Sequence, residues 1–139
     1  MRKTAVYRDD LFLQHETGYN HPESPDRLRV IYEELDRYKK QGASFIEPQF
    51  LPSSLNIIGV NHSRKLVKRI ADTAGKAHDF LDADTQTSSE SFAAASKAVG
   101  SLIDGLNRIN SGEIDNAFCL VRPPGHHAER ESAMGFCLF

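Results

Sequence analysis

An unbroken apolar run, Ala117-Phe118-Cys119-Leu120-Val121, constrains this chain more than any other segment. Polar and apolar residues do not alternate in it, which is the pattern of a strand covered on both faces. Such strands belong to parallel sheets whose connections are helices. The rest of the chain carries helical periodicity in the alternation that this requires. Ser24 as N-cap and Pro25 at the first helical position open a helix whose apolar stripe is Leu28, Ile31, Tyr32, Leu35 and Tyr38, closed by Gly42. A second stripe, Leu66, Val67, Ile70, Ala71 and Ala74, stops at Gly75. A third follows the capping-box spacing of Thr87 and Glu90, with Phe92, Ala95, Val99, Leu102, Ile103 and Leu106 recurring every three or four residues. Its small residues Ala93, Ala94, Ala98 and Gly100 let it lie close against a sheet, and Asn110-Ser111-Gly112 marks the turn that follows. Thr4-Ala5-Val6-Tyr7 reads as a first strand, Phe45-Ile46 and Phe50-Leu51 as short extended pieces around Pro48, and Phe136-Cys137-Leu138-Phe139 as a second strand-like run. Helices alternating with short buried strands give an α/β fold with a mainly parallel sheet.

With 139 residues the chain is the size of one ordinary domain. Its 40% hydrophobic and 26% charged residues are globular in composition. Seventeen Lys and Arg against nineteen Asp and Glu leave a net charge of −2, without the basic excess of a dedicated nucleic-acid binder, so no direct nucleic-acid partner is expected. Two cysteines, Cys119 and Cys137, cannot build a disulfide framework, and both sit in apolar runs as core residues. No apolar run approaches the ~20 residues of a membrane span, and the N-terminus meets Asp9 and Asp10 before any signal-peptide core could form. A cytoplasmic chain without a membrane partner is the expectation. The last run ends on Leu138-Phe139 with no polar exit. It reads either as a C-terminal strand inserted into a sheet or as a larger domain cut at this point.

In open α/β sheets ligands gather beyond the carboxyl ends of the strands. There, after residues 117–121, stands Arg122-Pro123-Pro124-Gly125-His126-His127. Two prolines and a glycine stiffen the turn, and histidine is the side chain that moves a proton in either direction near neutral pH. A stiff loop can thus present a base and a second proton carrier; the same residues also fit a proline-rich turn with two surface histidines. Neighbouring side chains of extended backbone diverge, and there is no CxxC or HExxH spacing, so no metal ligand is assigned in this chain.

Arg122-Pro123-Pro124-Gly125-His126-His127-Ala128, followed by Met134-Gly135-Phe136-Cys137, resembles the central motif of the zinc-dependent histone deacetylase family, which includes bacterial acetylpolyamine amidohydrolases and acetoin-utilisation proteins. His21-Pro22-Glu23-Ser24-Pro25-Asp26-Arg27-Leu28 resembles the family's N-terminal motif, and His62-Ser63 its short signature before a helix. Asp82-Ala83-Asp84-Thr85, leading to the Ala-rich helix and Gly100, resembles the next element, and Met134 before Gly135 looks like the class II and bacterial branch. The resemblance implies the N-terminal portion of an arginase/deacetylase-type fold.

By resemblance His127 is the general base and then acid, and His126 gives electrostatic support or a second proton site. Gly135 turns its carbonyl toward the active site, and Phe136 is an aromatic wall of the acyl-chain tunnel. Asp84 matches the rim aspartate that receives substrate backbone; an acid flanking a helix N-terminus is its other reading. Arg27 matches an arginine lining an internal channel. A cation in the first turn of a helix opposes the dipole, so a specific partner is expected for it, a solvated surface arginine being the alternative. The family's zinc ligands lie C-terminal to the Gly-Phe motif, beyond Phe139. Residues 1–139 therefore read as the incomplete, N-terminal part of a single deacetylase-like domain, with zinc a cofactor of the complete protein. The implied partner is an acetylated lysine peptide, a polyamine or a small acetylated amine. The chain alone is expected to be inactive, and exposed sheet edges invite self-association. A non-catalytic binding or assembly module built on the same fold is the competing expectation.

Overall fold

Three buried residues of strand β1 (Thr4–Tyr7), Ala5, Val6 and Tyr7, mark the centre of the structure. The structure is a computed structural model and describes residues 2–139. Successive strand side chains point to opposite faces. Val6 accordingly packs with Phe12, Leu28, Tyr32, Ala94, Ala98 and Leu120, while Ala5 and Tyr7 pack with Ile114 on the other side. After β1 come a 3-10 helix (Asp10–Gln14), α1 (Asp26–Lys40), α2 (Leu55–Asn61), α3 (Arg64–Ala71), β2 (Asp79–Phe80), β3 (Gln86–Thr87), α4 (Ser91–Asn110) and β4 (Asn116–Cys119). β1 pairs in parallel with β4, with Ala5 opposite Ala117 and Tyr7 opposite Cys119. On its other edge Val6 N–H donates to the Ile46 carbonyl (2.8 Å), which makes the expected extended piece at Phe45-Ile46 a single parallel bridge. β2 and β3 form a separate small antiparallel hairpin. The parallel pairing with helices packed against it is the expected α/β arrangement.

The strand covered on both faces is β1, not β4. Phe118 in the middle of β4 is 54% exposed, and among the described residues β4 pairs only with β1. Its continuous apolar run reflects a strand with one edge and part of a face left uncovered in this segment. The run Phe136–Phe139 is not a strand either. Gly135 and Phe136 have φ of +58° and +70°, left-handed values that extended backbone does not take. Met134 and Cys137 close a tight turn instead, which buries Cys137 and Leu138.

Hydrogen bonding defines α1 from Asp26, but Pro25 already has helical φ and ψ (−55°, −30°) and the Ser24 carbonyl accepts from Arg27 N–H (3.2 Å), so Pro25 occupies the first helical position as expected. Leu28 and Tyr32 of its stripe are buried, whereas Ile31 and Tyr38 are exposed. The Tyr32 hydroxyl bonds the Leu120 carbonyl at 3.1 Å, tying α1 to the end of β4. α3 buries Leu66, Val67 and Ile70 as expected, capped by Ser63, whose Oγ accepts from Leu66 N–H (3.2 Å). The Thr87–Glu90 capping box does not form. Thr87 lies in β3 with its hydroxyl toward the Asp79 carbonyl, and Ser91 Oγ instead accepts from Ser88 N–H (2.7 Å).

α4 faces the core with its small residues, Ala94, Ala95 and Ala98, while Leu102 and Leu106 are half or more exposed. The small face permits close approach. A Cβ on Gly105 would stand 3.1 Å from the Ala117 Cβ, and one on Gly100 would fall 2.0 Å from the Leu51 carbonyl oxygen. Helix α2 carries no signal strong enough to find in sequence, because Gly59, Asn56 and Asn61 are poor helix formers and the helix rests on its Ser54 cap. Gly100→Ala therefore forces a methyl group against the Leu51 carbonyl. It should destabilise the chain by about 1–3 kcal/mol in urea unfolding, and an unchanged midpoint would contradict this packing.

Candidate active site

β1 and β4 are parallel, so their carboxyl ends open on the same side, where the 3-10 helix and the loop 122–127 leave the sheet. The first residue of that loop, Arg122, is 3% exposed, and its fork meets Glu23, itself 2% exposed. Nε and Nη2 donate to the two carboxylate oxygens at 2.6 and 2.8 Å, and Nη1 donates to the Phe12 carbonyl at 2.9 Å. Charge-assisted bidentate pairs of this kind fix direction as well as distance.

Beyond Arg122 the chain is fastened at each step. Leu138 N–H donates to the Pro124 carbonyl (3.3 Å), Ala128 N–H to that of Gly125 (3.1 Å), and His127 N–H to Cys137 Sγ (3.3 Å). His62 Nδ1–H donates to the Glu129 carbonyl (2.8 Å) and Ser63 N–H to that of Arg130 (2.8 Å). His62-Ser63 thus braces the far side of the histidine loop.

These fastenings bring the His126 and His127 rings to 4.3 Å between centroids, tilted by 56°. Both residues are exposed, yet the His127 ring lies against Gly135, where a Cβ would stand 3.0 Å from its Cδ2. Phe136 follows in left-handed backbone, held by its N–H bond to Thr85 Oγ1 (3.1 Å) and by the edge of the His21 ring at 4.8 Å. His21 accepts from Glu23 N–H at Nδ1 (3.1 Å), which leaves Nε2–H facing the Asp84 carbonyl at 3.4 Å.

A cleft of about 550 Å³ results. His126, His127, Gly135 and Phe136 line it together with Glu23, Arg27, Leu28 and Ile31. Five of the six residues singled out in sequence, His126, His127, Gly135, Phe136 and Arg27, therefore line one cavity. Asp84 does not line it. It stands on the exposed β2–β3 turn next to Phe136, and since β3 separates it from α4 it does not flank that helix. The partner of Arg27 is Glu23, with Nη1 3.8 Å from Oε1, although the guanidinium stays largely in solvent.

Beneath the cleft His15 is wholly buried, its Nδ1 2.7 Å from Ser91 Oγ and its Nε2 3.5 Å from Glu23 Oε2. Burial, with the positive charge of Arg122 and the proximity of His21, pushes this imidazole down to about 3. Glu23, Thr85 and His15 are site residues that sequence reasoning did not assign. The first lies inside the quoted His-Pro-Glu-Ser stretch and the second just after Asp84; the third stands in a segment without period.

Among the described residues no three His, Cys, Asp or Glu side chains gather into a group that could hold a metal. The residues present do not fit the zinc that the resemblance implies. No helix among the described residues is long and apolar enough to cross a membrane.

The histidine pair and the Gly-Phe turn at the carboxyl edge of the parallel sheet carry the motifs on which the resemblance to the deacetylase class rests. The histone deacetylase domain model matches residues 21–139, and the chain belongs to that family. It is 37% identical to histone deacetylase 5 of Arabidopsis thaliana, over 99% of this chain and 22% of that protein. Against histone deacetylase 9 of Homo sapiens it is 34% identical, over 98% of this chain and 16% of that protein. It is 40% identical to an uncharacterized protein of Synechocystis, over 96% of this chain and 44% of that protein. The crystal structure of the HDA15 HD domain superposes with a TM-score of 0.91 at 34% identity, covering 98% of this chain and 40% of that one. The chain thus spans less than half the length of these relatives.

Two outcomes follow from the site geometry. Gly135→Ala places a Cβ in left-handed backbone against His127, and it should cost about 1–2 kcal/mol in urea unfolding while displacing the His127 ring resonances. The second concerns pH. His15 has an ordinary pKa of 6.5 and a folded one of about 3, so the unfolded chain takes up the proton first. Its contribution to stability is complete above about pH 6.5 and declines toward pH 3, by up to about 1.4 kcal/mol per pH unit. Urea midpoints at about pH 7 and 5.5 should differ accordingly, and identical midpoints would show that His15 is not held neutral.

Proposed function

We propose that this chain supplies the proton-handling wall of a site that hydrolyses N-acetyl amides, on an acetyl-lysine side chain or an acetylated polyamine or small amine. The observation that carries this reading is the His126–His127 pair, 4.3 Å apart and lining one cleft with Gly135 and Phe136, in a chain of the deacetylase family. His127, packed on Gly135, takes a proton from the attacking water and returns it to the departing amine. His126 beside it steadies the charge on the pair or holds a second proton. Phe136 offers a flat apolar wall to the aliphatic stem of the substrate, which excludes water and holds the amide in line. In this reading Asp84 on the exposed β2–β3 turn accepts hydrogen bonds from a peptide substrate's backbone, and Arg27 in the cleft lining favours an anionic group there.

Zinc has no donor set among the described residues. In this proposal its ligands belong to polypeptide outside them, and no step above runs through it. Residues 1–139 are then part of a larger deacetylase domain, cytoplasmic and inactive alone. In the protein that carries this chain, His127→Ala should lower turnover of an acetyl-lysine peptide by about 100- to 10,000-fold, and His126→Ala by less. The 139-residue chain alone should show none. Turnover untouched by His127→Ala would overturn the assignment, and an unaltered protein that binds acetylated peptide without cleaving it would mark a binding module.

A further inference from the structure

The loop that carries His126 and His127 is anchored through a relay of buried polar groups whose proton positions are determined by their partners. Ser91 Oγ accepts from Ser88 N–H (2.7 Å), lies 3.2 Å from Ser88 Oγ and stands 2.7 Å from His15 Nδ1; the Glu23 carboxylate facing Nε2 favours the tautomer in which Nδ1 accepts from the Ser91 hydroxyl. The remaining proton of the neutral imidazole is then on Nε2, an atom that is fully buried and lacks a hydrogen-bond partner within normal range. It points at Glu23 Oε2, 3.5 Å away. Glu23 takes the Arg122 fork at 2.6 and 2.8 Å, and the third arm of Arg122 reaches the Phe12 carbonyl at 2.9 Å. The relay runs from the first turn of α4 to the residue at which the histidine loop leaves the sheet.

We propose that Glu23, held between His15 and Arg122, is a positioning residue that aims the His126–His127 loop. It does this by fixing the guanidinium plane of Arg122 in two directions at once. Arg122 stands four residues before His126, and the intervening prolines transmit its orientation because their φ angles are locked. An ion pair buried this deeply is a poor source of stability compared with packed apolar groups, so its value lies in direction. The inference rests on the proton-handling reading of the histidines, although the anchoring itself does not.

The test compares Arg122→Lys, which keeps the charge and loses the fork, with the double variant Glu23→Met/Arg122→Leu, which replaces the pair by apolar groups. Both are made in the protein that carries this chain. In folded protein kcat should fall by about 10- to 100-fold with KM within about twofold, since a misaim near 1 Å costs about that much. The ring-proton resonances of His126 and His127 should move in parallel. Wild-type kcat and unmoved ring resonances in either folded variant overturn the proposal, whatever the change in Tm. Failure of both variants to fold also overturns it, by making the pair a folding determinant. If the unaltered protein hydrolyses no acetyl amide, the proposed reaction falls, and the ring resonances still decide the anchoring.

Discussion

The site depends on two charges that have been taken out of water together. Glu23 lies in the turn before α1 and Arg122 just past β4, and the chain brings them to bidentate contact with only 2% and 3% of their surfaces exposed. Removing either partner alone leaves a buried uncompensated charge, a loss of about 3–5 kcal/mol. The pair therefore commits the turn and the strand end to one relative placement. Everything that forms the cleft is built outward from it: Arg27 one turn further along α1, the histidines past the prolines, and His15 underneath.

The Gly135-Phe136 part of the cleft is assembled by another means. Gly135 and Phe136 both take left-handed backbone, which costs a non-glycine residue about 1–2 kcal/mol, and the neighbours of Phe136 offset this. Thr85 accepts its N–H and His21 meets its ring edge-on, while Cys137 one position later receives the N–H of His127. A buried thiol, its pKa raised mainly by that burial, remains neutral and serves here as a soft acceptor in the core. The turn is thus held because three separate segments, those of His21, Thr85 and His127, converge on it.

The amphipathic periods of α1 and α3 were legible because burial on one face leaves a repeat of three and four in the residues themselves. α4 was legible as a helix, and its small residues Ala94, Ala98 and Gly100 lie inward as their size suggested, since only such residues allow the backbone within reach of Ala117 and Leu51. The larger apolar residues Leu102 and Leu106 of its stripe stay half or more exposed instead. The histidine loop was found because proline, glycine and histidine in one run have few structural uses. His15 gave no signal, because a lone histidine in an aperiodic stretch looks the same whether it is solvated or sealed against Ser91.

The amino-acid order alone determined the α/β class, the first strand, three of the four helices and the family, since each rests on local spacing or on a contiguous motif. Which strand is central, the exposure of Leu102 and Leu106 on α4, the left-handed turn at Gly135-Phe136, and the meeting of Glu23 with Arg122 were decided only in three dimensions. The pair joins residues 99 positions apart in the chain. Nothing in the neighbourhood of either reveals the other, because a buried charge is compensated in space and not along the sequence.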